Sequence, residues 1–63
     1  MSEVELKYRV KDLDNPSDKD LYLSDYEVLE LYNERSIKRL SITDLDEAIE
    51  KLKFEFNFSV IEE

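Results

Sequence analysis

Carboxylates are the side chains through which this 63-residue chain could do chemistry: it holds 17 Asp and Glu but no His, no Cys and no Gly. The missing His and Cys remove the commonest general base and two common nucleophiles. They also remove disulfides and the usual zinc ligands. Without Gly there is no loop of the kind that cradles phosphate, because such loops need positive φ and close backbone approach. Paired carboxylates can hydrolyse glycosides, but one of the pair needs a raised pKa and hence a deep pocket. A chain this short buries only about 60 % of its unfolded surface, too little for such a pocket. No catalytic residue, no metal site and no cofactor is therefore expected, and the chain is not read as an enzyme.

Carboxylates can still recognise cations without a pocket, and their distribution suits that. The net charge is −8, yet the segment Asp12–Glu34 alone carries −7, with eight acids against Lys19. Such a block repels DNA and anionic membranes, whose binding needs cations to displace condensed counterions. It is drawn instead to a basic protein surface, and such surfaces are mostly built to hold nucleic acid. The competing explanation is that these acids merely keep a small domain soluble. Acids alone give a salt-sensitive, promiscuous encounter, whereas interface energy concentrates in a few aromatic residues seated in dry pockets. The segment offers both kinds of group. The candidate partner-binding residues are Asp18, Asp20, Asp25, Glu27 and Glu30, with Tyr22 and Tyr26 as aromatics, and Tyr26 reads as the outward anchor among them. Its alternative placement is tucked against the turn as a hydrophobic staple.

Several elements must position these groups. Residues 3–12 alternate without a slip, with Val4, Leu6, Tyr8 and Val10 on one face and Glu3, Glu5, Lys7, Arg9 and Lys11 on the other. That is a strand with one wet side. Residues 13–20 hold Asn15-Pro16 and form a turn, after which Leu21–Leu23 reads either as a short returning strand or as an extended lead. Ser24-Asp25-Tyr26-Glu27 satisfies the capping-box pattern, with two acids at the positive end of a helix running to about Arg35. Val28, Leu31, Tyr32 and Arg35 form its inner stripe, flanked by Leu29. Ser36–Ile42 is β-branched and reads as a strand. Thr43 then caps a second helix to about Leu52, with Leu45, Ala48, Ile49 and Leu52 at amphipathic spacing. From Lys53 a last strand places Phe54, Phe56, Phe58 and Val60 on one face. The expected fold is one α+β domain over residues 1–63, with a small antiparallel or mixed sheet of three to four strands and two helices on one face. Lys7, Arg9 and Lys11 on the wet face are expected to pair with Glu55 or nearby acids. The exposed sheet edges and the first helix offer two ways for the chain to join a second copy as a homodimer.

The stretch Leu21-Tyr22-Leu23-Ser24-Asp25-Tyr26-Glu27-Val28-Leu29 resembles the helix start of the small uracil-DNA glycosylase inhibitors of Bacillus podoviruses, which runs Leu-Ser-Leu-Ser-Asp-Phe-Glu-Val-Leu. Seven of these nine positions coincide, and the Phe position holds Tyr26. Those inhibitors are acidic dimers that occupy the enzyme's DNA-binding groove as DNA mimics, and an apolar pocket of the glycosylase grips the aromatic residue. The resemblance implies that Tyr26 is the anchor and that Asp25 and Glu27 flank it. Three departures stand out. The stretch before the helix is shorter and contains Pro16, Glu30 stands where a second functional aromatic would fall, and Thr43–Glu63 has no counterpart.

Two functional expectations follow. One is a phage-type acidic inhibitor that blocks the basic DNA-binding surface of a host repair enzyme, uracil-DNA glycosylase first. The other is a small protein-binding regulator, such as an antitoxin, anti-defence or adaptor-like module, acting through its sheet edge. Direct nucleic-acid and membrane binding are not expected. No apolar run approaches the roughly 20 residues of a membrane span and no basic-then-apolar N-terminal segment is present, so the expected location is the cytoplasm, that of the host cell if phage-encoded.

Overall fold

The alternation at the start of the chain becomes a hairpin. A computed structural model describes residues 5–63, and in it β1 (Tyr8–Asp12) pairs antiparallel with β2 (Leu21–Leu23), Tyr8 opposite Leu23 and Val10 opposite Leu21. Asp12 closes the intervening turn. Its carboxylate accepts from the Asp14 N–H and from Asn15 Nδ2, both at 2.9 Å. These two bonds hold the Asp12 pKa below its ordinary value, the Asn15 side chain contributing most. On the other side of β1 lies β3 (Phe58–Glu62), also antiparallel, giving a three-stranded sheet in the order β2-β1-β3.

The helices are α1 (Asp25–Arg35) and α2 (Leu45–Phe54), the latter entered through a single 3-10 turn at Ile42–Asp44. Together with the sheet they enclose one core, in which Val10, Val28 and Leu52 are fully buried beside Tyr8, Tyr32, Phe58 and Val60. Tyr32 meets Phe56 edge to face at 6.0 Å, a favoured aromatic geometry. Both helices run in the same direction. Asp25 and Asp46, near their starts, lie at the Tyr8–Glu62 end of the sheet, whereas Arg35 reaches the Phe58 ring at the other end. The α+β class, the antiparallel three-stranded sheet and the two helices on one face agree with the sequence.

Four local expectations are corrected. Ser36–Ile42 is no strand. Because the helices are parallel, the chain must return along their length; it bends at Ile37 and Lys38, and Ile42 already opens the 3-10 turn. Here the backbone of Leu40 is met by a side chain rather than a strand: its N–H donates to Asn33 Oδ1 (2.9 Å) and its carbonyl accepts from Asn33 Nδ2 (3.0 Å). Thr43 does not cap α2; its hydroxyl shares a hydrogen bond with Ser41 (2.7 Å), and α2 lacks a side-chain cap. Phe54 does not join the Phe face. It is the last residue of α2 and 81 % exposed, since the helix outlasts the expected boundary by two residues and turns into β3 through Asn57 at φ 58°, a left-handed conformation that Asn tolerates. Finally, Leu6 is exposed. The β1–β3 ladder reaches only as far as the bond from Glu63 N–H to the Lys7 carbonyl (2.7 Å), so Leu6 has no strand to pack beside. Val4 and Glu3 of the expected strand lie outside the described residues.

Candidate functional site

The start of α1 is built from its own sequence. Ser24 adopts extended geometry (φ −84°, ψ 174°) and its Oγ accepts from the Glu27 N–H at 3.4 Å. Glu27 Oε1 in return accepts from the Ser24 N–H at 3.0 Å, completing the capping box and satisfying two otherwise orphaned donors. Asp25 faces the sheet, where Lys7 Nζ stands 3.5 Å from its Oδ1 and 3.8 Å from Glu62. That Oδ1 is buried without a partner of hydrogen-bonding geometry, so the ion pair is its compensation. The pair raises the Lys7 pKa above its ordinary value, Asp25 contributing most. Burial, reinforced by Asp25 and Glu62, raises that of Tyr8.

This bracing fixes the residue between. Tyr26 is 68 % exposed and projects from the first turn of α1. One and two turns further along the same helix face stand Glu30 and Glu34, both exposed, at the i, i+4 spacing that sets Cβ atoms about 6 Å apart. Glu34 has Arg35 at 3.9 Å, while Glu30 has no ion pair among the described residues.

The seven sequence-derived candidates do not form one surface. Tyr26, Glu27 and Glu30 share the outer face of α1, with Asp25 beneath them at the sheet. Asp20 lies 3.9 Å from Lys11 on β1. Asp18 is exposed in the turn and shares a cleft with Leu31 and Arg35, at the far end of α1 from Tyr26. Tyr22 is 52 % exposed but stands opposite Arg9 in the ladder, on the sheet face turned from the helices. Of the acids, Asp25 and Glu27 are engaged in holding the helix start, which leaves Glu30 as the unencumbered carboxylate nearest Tyr26. Of the expected partners of the strand cations, nearby acids hold for two, Lys7 with Asp25 and Glu62 and Lys11 with Asp20, while Glu55 is corrected, since it goes to Lys51 at 3.1 Å.

The two most exposed apolar side chains, Ile37 in the return segment and Phe54 at the end of α2, escaped the sequence reading. Leu52-Lys53-Phe54 reads equally well as a last helical turn or a first strand residue, and only the position of Asn57 decides between them. The site has an aromatic anchor on a rigid base within an acidic field. It contains no convergent acid–base pair and, among the described residues, no group of side chains able to hold a metal. No helix among them is long and apolar enough to cross a membrane. No family model, curated protein or solved structure matches the chain.

Proposed function

We propose that the protein is a phage-type inhibitor that mimics DNA and blocks the DNA-binding groove of a host repair enzyme, uracil-DNA glycosylase, with Tyr26 as its anchor. It works by occupation rather than catalysis, in the cytoplasm of the host cell, and needs no cofactor. The observation carrying the reading is the solvent-facing Tyr26, held between two acids that are themselves locked, Asp25 by Lys7 and Glu27 by the capping box. The backbone beneath Tyr26 is ordered before a partner arrives, so binding has only the side chain to order, which lowers its entropic cost. The nine-residue resemblance supplies the target, and the −8 net charge supplies the attraction to a basic groove. Glu30 and Glu34 extend the negative row along α1, while Asp18 and Asp20 add to the long-range field from the turn. Tyr22, on the other sheet face, stands outside this contact.

A uracil-excision assay tests the reading. Bacterial uracil-DNA glycosylase acts on a uracil-containing duplex with the chain or its Tyr26→Ala variant in excess. Loss of excision with the wild type, restored by the substitution and by raised salt, is the expected result. Full excision at micromolar excess of the wild type rejects the glycosylase as target. The second reading, a protein-binding regulator acting through its sheet edge, is supported by the unpaired outer side of β3.

A further inference from the structure

The sheet ends on β3, and the side of β3 that faces away from β1 has a defined set of free groups. In an antiparallel ladder, residues alternate between turning their N–H and C=O toward the neighbour and away from it. The bonds Leu13 N–H to Asn57 carbonyl (3.1 Å) and Glu63 N–H to Lys7 carbonyl (2.7 Å) fix that phase. Ser59 and Ile61 therefore bond to β1, and Phe58, Val60 and Glu62 turn their amides outward, where no further strand lies among the described residues. Proteins commonly blunt such an edge by shortness, Pro, Lys or a bulge. The opposite edge, β2, is three residues long, but β3 is five residues, Phe-Ser-Val-Ile-Glu, with neither Pro nor Lys.

Near this edge, at the Tyr8–Glu62 end of the sheet, a cleft of about 290 Å³ lies between α2 and the sheet, touching Tyr8 of β1 as well as β3. Its helix wall is the row Asp46, Ile49, Glu50 and Lys53, at i, i+3, i+4 and i+7, and its sheet wall includes Val60 and Glu62. Ile49 and Val60 make an apolar floor. Three carboxylates surround one ammonium, and Asp46 and Glu50 have no ion pair among the described residues. The cleft is thus negative where it is polar.

We infer that β3 and this cleft accept an extended segment of a partner protein as a fourth strand, carrying an apolar residue and, two positions on, a Lys or Arg. The main chain of the segment bonds to the outward groups of Val60 and Glu62, giving affinity without sequence preference. Alternate side chains point into the cleft, so the apolar one rests on Ile49 and Val60 and the cation faces Asp46 and Glu50. This surface is separate from Tyr26, which projects from the other helix, and it stands whether or not the glycosylase is the target.

The test is a titration of the 15N-labelled full chain, followed by amide chemical shifts, with two blocked peptides. One repeats Ser-Val-Ser-Lys twice, and the other has Glu in place of each Lys. The Lys peptide is expected to shift the amides of Val60, Glu62 and the Asp46–Lys53 row saturably, with the Glu peptide at least tenfold weaker. Combining Asp46→Lys with Glu50→Lys should reverse that preference. Glu62→Pro, which deletes an outward N–H without touching the ladder, should weaken the Lys peptide at least tenfold while amides distant from β3 keep their positions. Equal binding of the two peptides, no saturable shift with either, or shifts confined to other surfaces overturns the inference. So does movement of the β3 amides with protein concentration alone when added Lys peptide leaves that movement unchanged, since a second copy of the chain then owns the edge.

Discussion

The two helices run side by side in the same direction, yet their starts are made in opposite ways. The start of α1 is complete within four residues: Ser24 and Glu27 satisfy each other's backbone, and Lys7 neutralises Asp25 from β1. The start of α2 has no side-chain cap and is reached through a 3-10 turn, after a return segment held by Asn33 from the last turn of α1. One start is local chemistry, and the other follows a segment tethered seven residues apart, from Asn33 to Leu40. The difference decides which acids remain available to a partner. At α1 the first-turn acids stabilise the fold and expose an aromatic between them. At α2 the acids of the first turns stay free and line a cleft.

Both helices nevertheless depend on one core, and the largest effect is expected there. Leu52 on α2 is fully buried among side chains of α1 and the sheet. Leu52→Ala should cost about 2–5 kcal/mol, against a total near 3–9 kcal/mol for a chain of this size. Urea denaturation should show both helices lost in one transition. Separate transitions for α1 and α2 would show that the helices are not one cooperative unit.

A smaller pair of substitutions separates the two kinds of start. Asn33→Ala leaves the Leu40 N–H and carbonyl without partners in a half-buried place and should cost about 1–3 kcal/mol. Ser24→Ala removes only the hydroxyl of the capping box, and about 1 kcal/mol is expected. Amide exchange should distinguish them further, with Asn33→Ala exposing residues 36–44 and Ser24→Ala fraying the first turn of α1. A larger loss from Ser24→Ala than from Asn33→Ala would mean that the local start, not the long-range tether, limits the fold.

The sequence reveals one of these starts and conceals the other for the same physical reason. Ser-x-x-Glu before an apolar stripe is a complete set of hydrogen-bond partners, so Ser24 and Glu27 can be read without knowing the fold. The alternation of Tyr8 and Val10 is likewise a local record of a two-sided strand. Ser36–Ile42 carries the residue types of a strand, yet it bends at Ile37 and Lys38 and ends in a 3-10 turn. Whether such a segment joins a sheet depends on what meets its backbone, and here that is Asn33, whose amide serves equally well on a solvent-facing helix. Phe54 misleads in the same way, since apolar character gives no direction when the residue ends a helix. For the candidate site, the placement of Tyr26 on α1 follows from helix phase alone. The loss of Tyr22 to the opposite sheet face follows from its register with Arg9, which no local pattern encodes.

Titration probes the bracing of α1 directly. The Lys7 pKa is raised chiefly by Asp25, and the Tyr8 pKa chiefly by burial, above ordinary values of 10.5 and 10.0. Groups whose pKa is higher in the folded state contribute stability that is present in full below the unfolded value and fades as pH rises through the folded one. The melting temperature should therefore fall above about pH 10. Lys7→Met should lower it at neutral pH and shrink that alkaline decline. An alkaline limb unchanged in Lys7→Met would remove Lys7 from the account and leave Tyr8 as its source.

The smallest effect on stability is expected where the two helices differ most in consequence. Tyr26 begins α1 and Phe54 ends α2, and both are largely exposed at 68 % and 81 %. Neither contributes much to the core, so Tyr26→Ala and Phe54→Ala should each change stability by less than about 0.5 kcal/mol. In uracil excision they should part. Tyr26 is flanked by locked acids on a rigid turn and has Glu30 free beside it, so its loss removes a preordered anchor from an acidic surface. Phe54 ends a helix instead, with Glu47, Glu50 and the Lys51–Glu55 ion pair around it, and the resemblance that nominates Tyr26 does not extend to it. Tyr26→Ala should abolish inhibition and Phe54→Ala should leave it intact. The opposite result would place the anchor at the end of α2, and with it the exposed Ile37 and Phe54 in place of the acidic face of α1.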